Sequence, residues 1–370
     1  MFSIFDSEMM QRAIDLARRG IYTTAPNPNV GCVITQGDDI VGEGFHFRAG
    51  EPHAEVHALR EAGDRALGAT AYVTLEPCSH HGRTPPCADA LINANVSRVV
   101  CAMVDPNPKV AGQGIQRMRD AGIQVDVGLM QLQAEALNPG FIKMMKTGVP
   151  FVQLKLAASL DGRTALANGK SQWITGPEAR SDVQGFRAVA GAILSTSQTV
   201  HDDNPSLNVR WAQLPQEVKA HYDEATLRQP IRVIFDSNGT VSPTSHMFSL
   251  DGDIVIVTAN ASLSFEQDNV DVVVVPKCAK GIDLNAALRA LASKGINHIW
   301  VEAGATLAGS LLAENLVDEL IVYQAPKLMG SDSRALVNLE GIVSMEHVPT
   351  YSLTDVCQIG NDIRLRLHKQ

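Results

Sequence analysis

Apolar residues recur at three- and four-residue spacings at the start of the chain. Met10, Ile14 and Ala17 share one face and Gly20 follows, which predicts a helix over 7–19. The period then shortens. Asn27-Pro28-Asn29 marks a turn, residues 30–35 read as a strand, Gln36-Gly37-Asp38 as a second turn and 40–47 as the returning strand. A helix is expected over 54–66, short strands at 71–75 and 98–104, and a short helix at 114–121. Strands alternating with helices argue for a layered α/β domain.

The pattern breaks near residue 148. A helical stretch ends at Met144, Met145 and Lys146, and Gly148-Val149-Pro150 interrupts it. A strand over 151–157 begins at once. Further strands are predicted at 231–236, 254–258, 272–275, 298–302 and 320–323, with helices at 177–190, 283–293 and 305–314 between them. This is a second α/β unit. The expected division is 1–147 and 148–370, with neither internal repeats nor low-complexity tracts.

Composition narrows the class. The 370 residues are 45% hydrophobic and 19% charged, which excludes a disordered or collagen-like chain. The formal charge of −9 argues against a broad footprint for nucleic acid or an anionic membrane, while leaving room for a local phosphate pocket. Six scattered cysteines do not make a disulfide scaffold. The first twenty residues lack the pattern of a signal peptide, and no uncharged apolar run is long enough to span a membrane. A soluble cytoplasmic protein with reduced thiols is expected.

Chemistry first concentrates around His53-Ala54-Glu55, at the start of a predicted helix. Glu76-Pro77-Cys78 follows a predicted strand, and eight residues separate Cys78 from Cys87. One imidazole and two thiolates suit a tetrahedral zinc ion with an open fourth position, where water can be acidified. Glu55 is placed to shuttle a proton from that water to a ring nitrogen and a departing amine. This is the His-x-Glu…Pro-Cys…Cys arrangement of zinc deaminases, except that Pro-Cys-x-x-Cys is their usual second half. The competing reading is a closed structural zinc with His80 or His81 as fourth ligand. Cys32, Cys101, Cys278 and Cys357 read as structural, the first two within apolar strands.

The second unit lacks Gly-x-Gly-x-x-Gly after its first strand, so a Rossmann reading is weak. It offers Lys155-Leu-Ala-Ala-Ser-Leu-Asp-Gly-Arg163, then Ser171-Gln-Trp-Ile-Thr175. Later comes Val301-Glu-Ala-Gly-Ala-Thr-Leu307, a strand running through small residues into a helix. Small residues there let backbone N–H groups approach a phosphate.

Three segments carry a family resemblance: Ala25-Pro-Asn-Pro-Asn-Val-Gly31, Gly50-Glu-Pro-His-Ala-Glu-Val-His-Ala-Leu59 and Thr74-Leu-Glu-Pro-Cys-Ser-His-His-Gly-Arg-Thr-Pro-Pro-Cys87. They closely resemble the bifunctional deaminase–reductases of riboflavin biosynthesis, in which the long insert between the cysteines is the rule. The likeness runs through Val104-Asp-Pro-Asn-Pro108 and across the second unit. It implies a cytidine-deaminase-like three-layer domain followed by a dihydrofolate-reductase-like domain. The first would use Zn2+, held by His53, Cys78 and Cys87, to deaminate 2,5-diamino-6-ribosylamino-4(3H)-pyrimidinone 5′-phosphate. The second would use NADPH to reduce the ribosyl group to ribityl.

The resemblance places Asn27, His46 and His80 in the deaminase pocket. It places Ala157, Trp173, Thr199, Asp203, Ser237 and the turn Gly304, Ala305, Thr306 and Leu307 against NADPH. Ser171, Arg187, Leu207, Arg210 and Glu302 would meet the sugar phosphate, the arginines as bidentate forks. Ala303 stands where some relatives have glycine. Lys155 and Glu302 are expected to polarise the ribose, a mutual ion pair being the competing reading. An exposed apolar face on the second unit would support a homodimer or higher homo-oligomer. The charge balance disfavours a tRNA deaminase, and Glu55 argues against a zinc-stabilised regulator.

Overall fold

The computed structural model describes residues 2–79, 85–108 and 110–370. His80 and His81 lie outside the described residues. Two compact units emerge, Met1–Gly148 and Val149–Gln370. The first contains α1 (Ile4–Arg18), β1 (Gly31–Gln36), β2 (Asp39–Phe45), α2 (Ala54–Ala62), β3 (Thr70–Val73) and α3 (Cys87–Asn93). It continues with β4 (Arg98–Cys101), α4 (Gln113–Asp120), β5 (Gln124–Val127), α5 (Gln131–Ala136) and α6 (Pro139–Thr147). The sheet order is β2-β1-β3-β4-β5; β1 is antiparallel to both neighbours, and β3, β4 and β5 run parallel.

Alternation along these strands feeds two cores. Cys32, Ile34, Ala71, Val73 and Val99 pack with Ala58, Leu91 and Met118 from α2, α3 and α4. Val33, Tyr72 and Val100 turn to the other face, against Met10 and Ile14 of α1. The sheet is therefore covered on both sides, which makes three layers. Gly44 permits a close approach: a Cβ there would lie 2.3 Å from the Ala54 carbonyl oxygen, so α2 and its first-turn residues rest directly on β2.

The principal elements of the second unit are β6 (Phe151–Ser159), α7 (Pro177–Val189), β7 (Ala192–Thr196), α8 (Ser197–Asp203), β8 (Ile231–Phe235), β9 (Ile254–Thr258) and β10 (Val270–Val274). They continue with α9 (Leu284–Ser293), β11 (His298–Glu302), α10 (Ala305–Ala313), β12 (Glu319–Ala325), β13 (Tyr351–Ile359) and β14 (Asp362–Lys369). Nine strands form one sheet, ordered β10-β9-β8-β7-β11-β6-β12-β14-β13. It is parallel from β10 to β12 and antiparallel across β12, β14 and β13. Leu154, Leu194, Val233 and Val301 pack under α9 and α10, while Ile193, Ile234 and Trp300 face α7.

The pairs β7–α8 and β13–β14, together with β5 and α5, are absent from the expectations above. The strands expected at 254–258 and 298–302 have those bounds, and most other shared elements differ at their ends. Among the described residues no helix is long and apolar enough to cross a membrane.

Candidate active sites

The first site forms where α2 and α3 begin. His53 is the N-cap of α2, and its ring makes no cap hydrogen bond, which leaves it free to turn outward. Cys87 opens α3, and Cys78 follows the end of β3. His53 Nδ1 lies 3.2 Å from Cys87 Sγ and 3.7 Å from Cys78 Sγ. All three donor atoms lie within 4.8 Å of one another. Tetrahedral zinc with its usual bond lengths separates an imidazole nitrogen from a thiolate sulfur by about 3.6 Å. The donor set and its spacing therefore fit Zn2+, with three protein ligands.

One thiol, that of Cys78, is already biased toward ligation, whereas hydrogen bonding to Cys78 and burial push the Cys87 thiol up. Hydrogen bonding from the Cys87 thiol, then contact with His53, lowers the Cys78 pKa to about 4 against the cost of burial. The Cys87 backbone N–H also donates to Cys78 Sγ at 3.3 Å. Glu55, in the first turn of α2, is 3% exposed and within hydrogen-bonding reach of Cys87. Burial pushes its carboxyl up to about 7, with His53 opposing.

Beside this centre, the His46 and His53 rings meet edge to face, centroids 5.2 Å apart. His46 Nδ1 lies 3.2 Å from the Pro52 carbonyl and Nε2 lies 3.0 Å from Asn27 Nδ2. These partners suit a neutral ring that donates from Nδ1 and accepts at Nε2. Burial, the largest influence, lowers the His46 pKa. Asn27 and His46 thus stand at the metal site.

Glu76 had drawn no separate assignment from the sequence. It is buried, and its carboxylate accepts the N–H groups of Asp105, Gly112 and Gly114 at 2.9–3.0 Å and of Ile115 at 3.2 Å. This fastens the turn carrying Cys78 to the start of α4.

The second site is a cleft of about 1090 Å³ in the second unit. The carboxyl ends of β7, β8 and β11 contribute Thr196, Phe235 and Glu302, where open α/β sheets characteristically bind ligands. Lys155, Ala157, Ser171, Trp173, Arg187, Thr199 and Asp203 line it. So do Leu207, Arg210, Ser237, Glu302, Gly304, Ala305, Thr306 and Leu307. Residues spread from β6 to α10 thus converge on one space.

Gly304 is the N-cap of α10 and offers no side-chain cap, and a Cβ placed there would meet nothing within 4 Å. The first N–H groups of α10 are therefore open to a phosphate. Trp173 is 63% exposed beneath the Arg180 guanidinium, 4.4 Å from its ring centroid. Leu207 holds a φ of 45°, a strained backbone for a leucine. Cys278 is exposed on the wall of this cleft, not in the core.

Glu302 is held by Arg187 and not by Lys155. The Arg187 Nε and Nη2 donate to its two oxygens at 2.6 and 2.8 Å, and the Trp300 indole N–H donates at 2.7 Å. A further Arg187 nitrogen donates to the Asn208 carbonyl at 2.8 Å. The mutual Lys155–Glu302 ion pair is thus not formed among the described residues. Burial raises the Glu302 carboxyl, but Arg187, Lys155 and Trp300 together bring it down to about 2.

A carboxyl depressed on folding stabilises fully above its unfolded pKa and loses that contribution as pH falls toward its folded value. The stability difference between wild type and Glu302→Gln should therefore shrink by about 2 kcal/mol from pH 5 to pH 3. Urea unfolding of both proteins, followed on the second unit, measures it. A difference independent of pH would contradict the pairing.

Residues 150–365 match the RibD C-terminal domain, and residues 3–103 match the cytidine and deoxycytidylate deaminase zinc-binding region. The riboflavin biosynthesis protein RibD of Escherichia coli (strain K12) is 54% identical over 362 residues, covering 98% of this chain and 99% of that protein. The solved structure of Acinetobacter baumannii RibD, form 1, superposes with a TM-score of 0.90 at 46% identity, covering 99% of each chain. A structure described as a diaminohydroxyphosphoribosylaminopyrimidine deaminase/5-amino-6-(5-phosphoribosylamino)uracil reductase from Thermotoga maritima gives 0.86 at 31% identity, again covering 99% of each. Two separate sites on two units, each matched along its length, place this chain in the RibD family of bifunctional deaminase/reductases.

Proposed function

We propose that the chain performs two consecutive steps of riboflavin biosynthesis. It is a bifunctional enzyme, a zinc-dependent deaminase and a reductase acting on the pyrimidine intermediate of that route. The finer assignment is deamination of 2,5-diamino-6-ribosylamino-4(3H)-pyrimidinone 5′-phosphate, then NADPH-dependent reduction of the ribosyl group to ribityl. One observation carries the first half: a buried carboxylate, Glu55, within reach of a His/Cys/Cys donor set.

In deamination a C–O bond forms at the amino-bearing ring carbon, the C–N bond breaks, and ammonia leaves. Zinc, when bound, supplies Lewis acidity to the attacking water. Glu55 takes that water's proton and passes it to the ring nitrogen, then takes the hydroxyl proton of the resulting tetrahedral carbon and delivers it to the departing amine as the ring carbonyl forms. Asn27 and His46 hold the pyrimidine, and the family resemblance assigns His80 to the same substrate.

In the second unit NADPH, when bound, supplies the hydride. The uncapped N-terminus of α10 and the size of the cleft fit its pyrophosphate. Thr199, Asp203, Ser237 and Trp173 border the remainder of the cofactor, with Ala157 beside it. Arg187 and Arg210 bind the sugar phosphate, with Ser171 and Leu207 alongside, and Lys155 polarises the ribose. Glu302 orients Arg187.

Six free cysteines accord with a cytoplasmic setting. Exposed Leu353, Val356 and Ile363 on β13 and β14 offer a face for a homo-oligomer.

Purified chain given the diaminopyrimidinone ribosyl phosphate should release ammonia and then oxidise NADPH, each followed separately. Failure to release ammonia with zinc bound would reject the deaminase substrate. Ammonia release without NADPH oxidation would reject the cofactor assignment alone.

A further inference from the structure

The loop carrying Asn27 is fastened from the far end of the first unit. Asn138 is the N-cap of α6, with Pro139 following in the first turn. An asparagine in that place ordinarily accepts an N–H of its own helix, for about 1 kcal/mol. Asn138 makes no such bond. Its amide is spent on Asn29, 109 residues earlier in the chain.

Asn138 Oδ1 accepts from the Asn29 backbone N–H at 2.7 Å and from Asn29 Nδ2 at 3.2 Å. In return Asn138 Nδ2 donates to the Asn29 carbonyl at 2.9 Å. Asn29 Nδ2 also donates to the Leu137 carbonyl at 2.9 Å, and the Thr24 hydroxyl donates to Asn29 Oδ1 at 2.6 Å. Both asparagines are buried, where amide groups must be satisfied and their partners are costly to remove.

This knot closes a short loop onto the pocket. The Asn27 N–H donates to the Thr24 carbonyl at 2.9 Å, and Asn27 Nδ2 meets His46 Nε2. On the other side of Asn29, the Val30 carbonyl accepts the His46 backbone N–H at 2.9 Å. The two groups assigned to the pyrimidine therefore flank the residue that Asn138 grips. None of the three zinc donors and no atom of Glu55 takes part in the knot.

We infer that Asn138 is a positioning residue of the deaminase pocket, setting Asn27 and His46 through Asn29 and so governing substrate binding and not zinc ligation. The inference rests on the reading that Asn27 and His46 contact the pyrimidine. Small displacements of positioning groups are enough to change activity substantially.

The test uses full-length, zinc-loaded protein. Asn138→Ala should raise the deaminase KM about tenfold with a much smaller change in kcat. Zinc content and reductase kinetics of the same chain should stay at wild-type values. Asn138→Asp, which keeps the acceptor for the Asn29 N–H groups and loses the donor, should fall between. Asn27→Ala should also raise KM, and the double variant Asn27→Ala/Asn138→Ala should fall short of the product of the two single effects, because the singles share the path through Asn27 and only the His46 part adds.

A raised KM in Asn27→Ala with wild-type kinetics in Asn138→Ala overturns the inference and leaves the reading of Asn27 intact. Wild-type KM in Asn27→Ala with a raised KM in Asn138→Ala removes Asn27 from the substrate and leaves His46 as the group positioned. Wild-type KM in both overturns both. Should Asn138→Ala lose zinc or unfold the first unit, the Asp variant decides: a lowered kcat at unchanged KM would mark Asn138 as ordinary scaffolding.

Discussion

Glu55→Gln should lower ammonia release by about a thousandfold or more, while the same protein keeps its zinc and still oxidises NADPH when supplied with the deaminated intermediate. The reason is positional. Glu55 lies two residues from His53 at the start of α2, and α2 rests on β2 through Gly44. Its carboxylate is 3% exposed, so bulk water is poorly placed to replace it as a proton carrier. Gln keeps the shape and the first-turn position but neither accepts nor returns a proton. Since His53, Cys78 and Cys87 form the donor set, zinc content should not fall. Metal analysis beside the two separate assays checks all three points. An active Gln variant would remove Glu55 from the reaction, and loss of zinc would show that it supports the metal centre instead.

The deaminase ligands were legible because each sits at a boundary that sequence marks well. His53 follows a proline at a helix start, Cys78 follows a strand, and Cys87 follows two prolines at the next helix start. The parallel strands of the second unit were legible for a similar reason: buried on both faces, 254–257 and 299–301 are runs of apolar residues. β13 and β14 were not, because several of their apolar residues are exposed and leave no buried face to set a period. α8 is too short, at 7 residues, for periodicity to declare it.

Tertiary choices were harder still. Parallel pairing sets Glu302 directly beside Lys155, which makes an ion pair between them plausible from strand positions alone. The fold instead brings Arg187 from α7, whose planar fork matches both carboxylate oxygens where an ammonium would match one. The grip of Asn138 on Asn29 was equally invisible, since an asparagine before a proline at a helix start already has a local explanation as a cap.

That exchange of partners sharpens the expected behaviour of Lys155. It is set in β6, half-buried on the wall of the cleft, with no ion-pair partner among the described residues. Burial, the largest influence, lowers its pKa, and Glu302 opposes that from the neighbouring strand. A partly desolvated ammonium facing open cleft space can donate to a sugar oxygen, which draws electrons from the anomeric carbon as hydride arrives. Lys155→Met should therefore lower reductase kcat about a hundredfold or more, with ammonia release untouched. Lys155→Arg should restore little, because guanidinium is a broad fork that holds its proton far more tightly. Glu302→Gln should behave differently. It frees Arg187 from its clamp, so the loss falls first on the KM for the phosphorylated sugar. Steady-state kinetics with the deaminated intermediate separate the two roles, and unchanged turnover in Lys155→Met would leave the lysine no part in the hydride step.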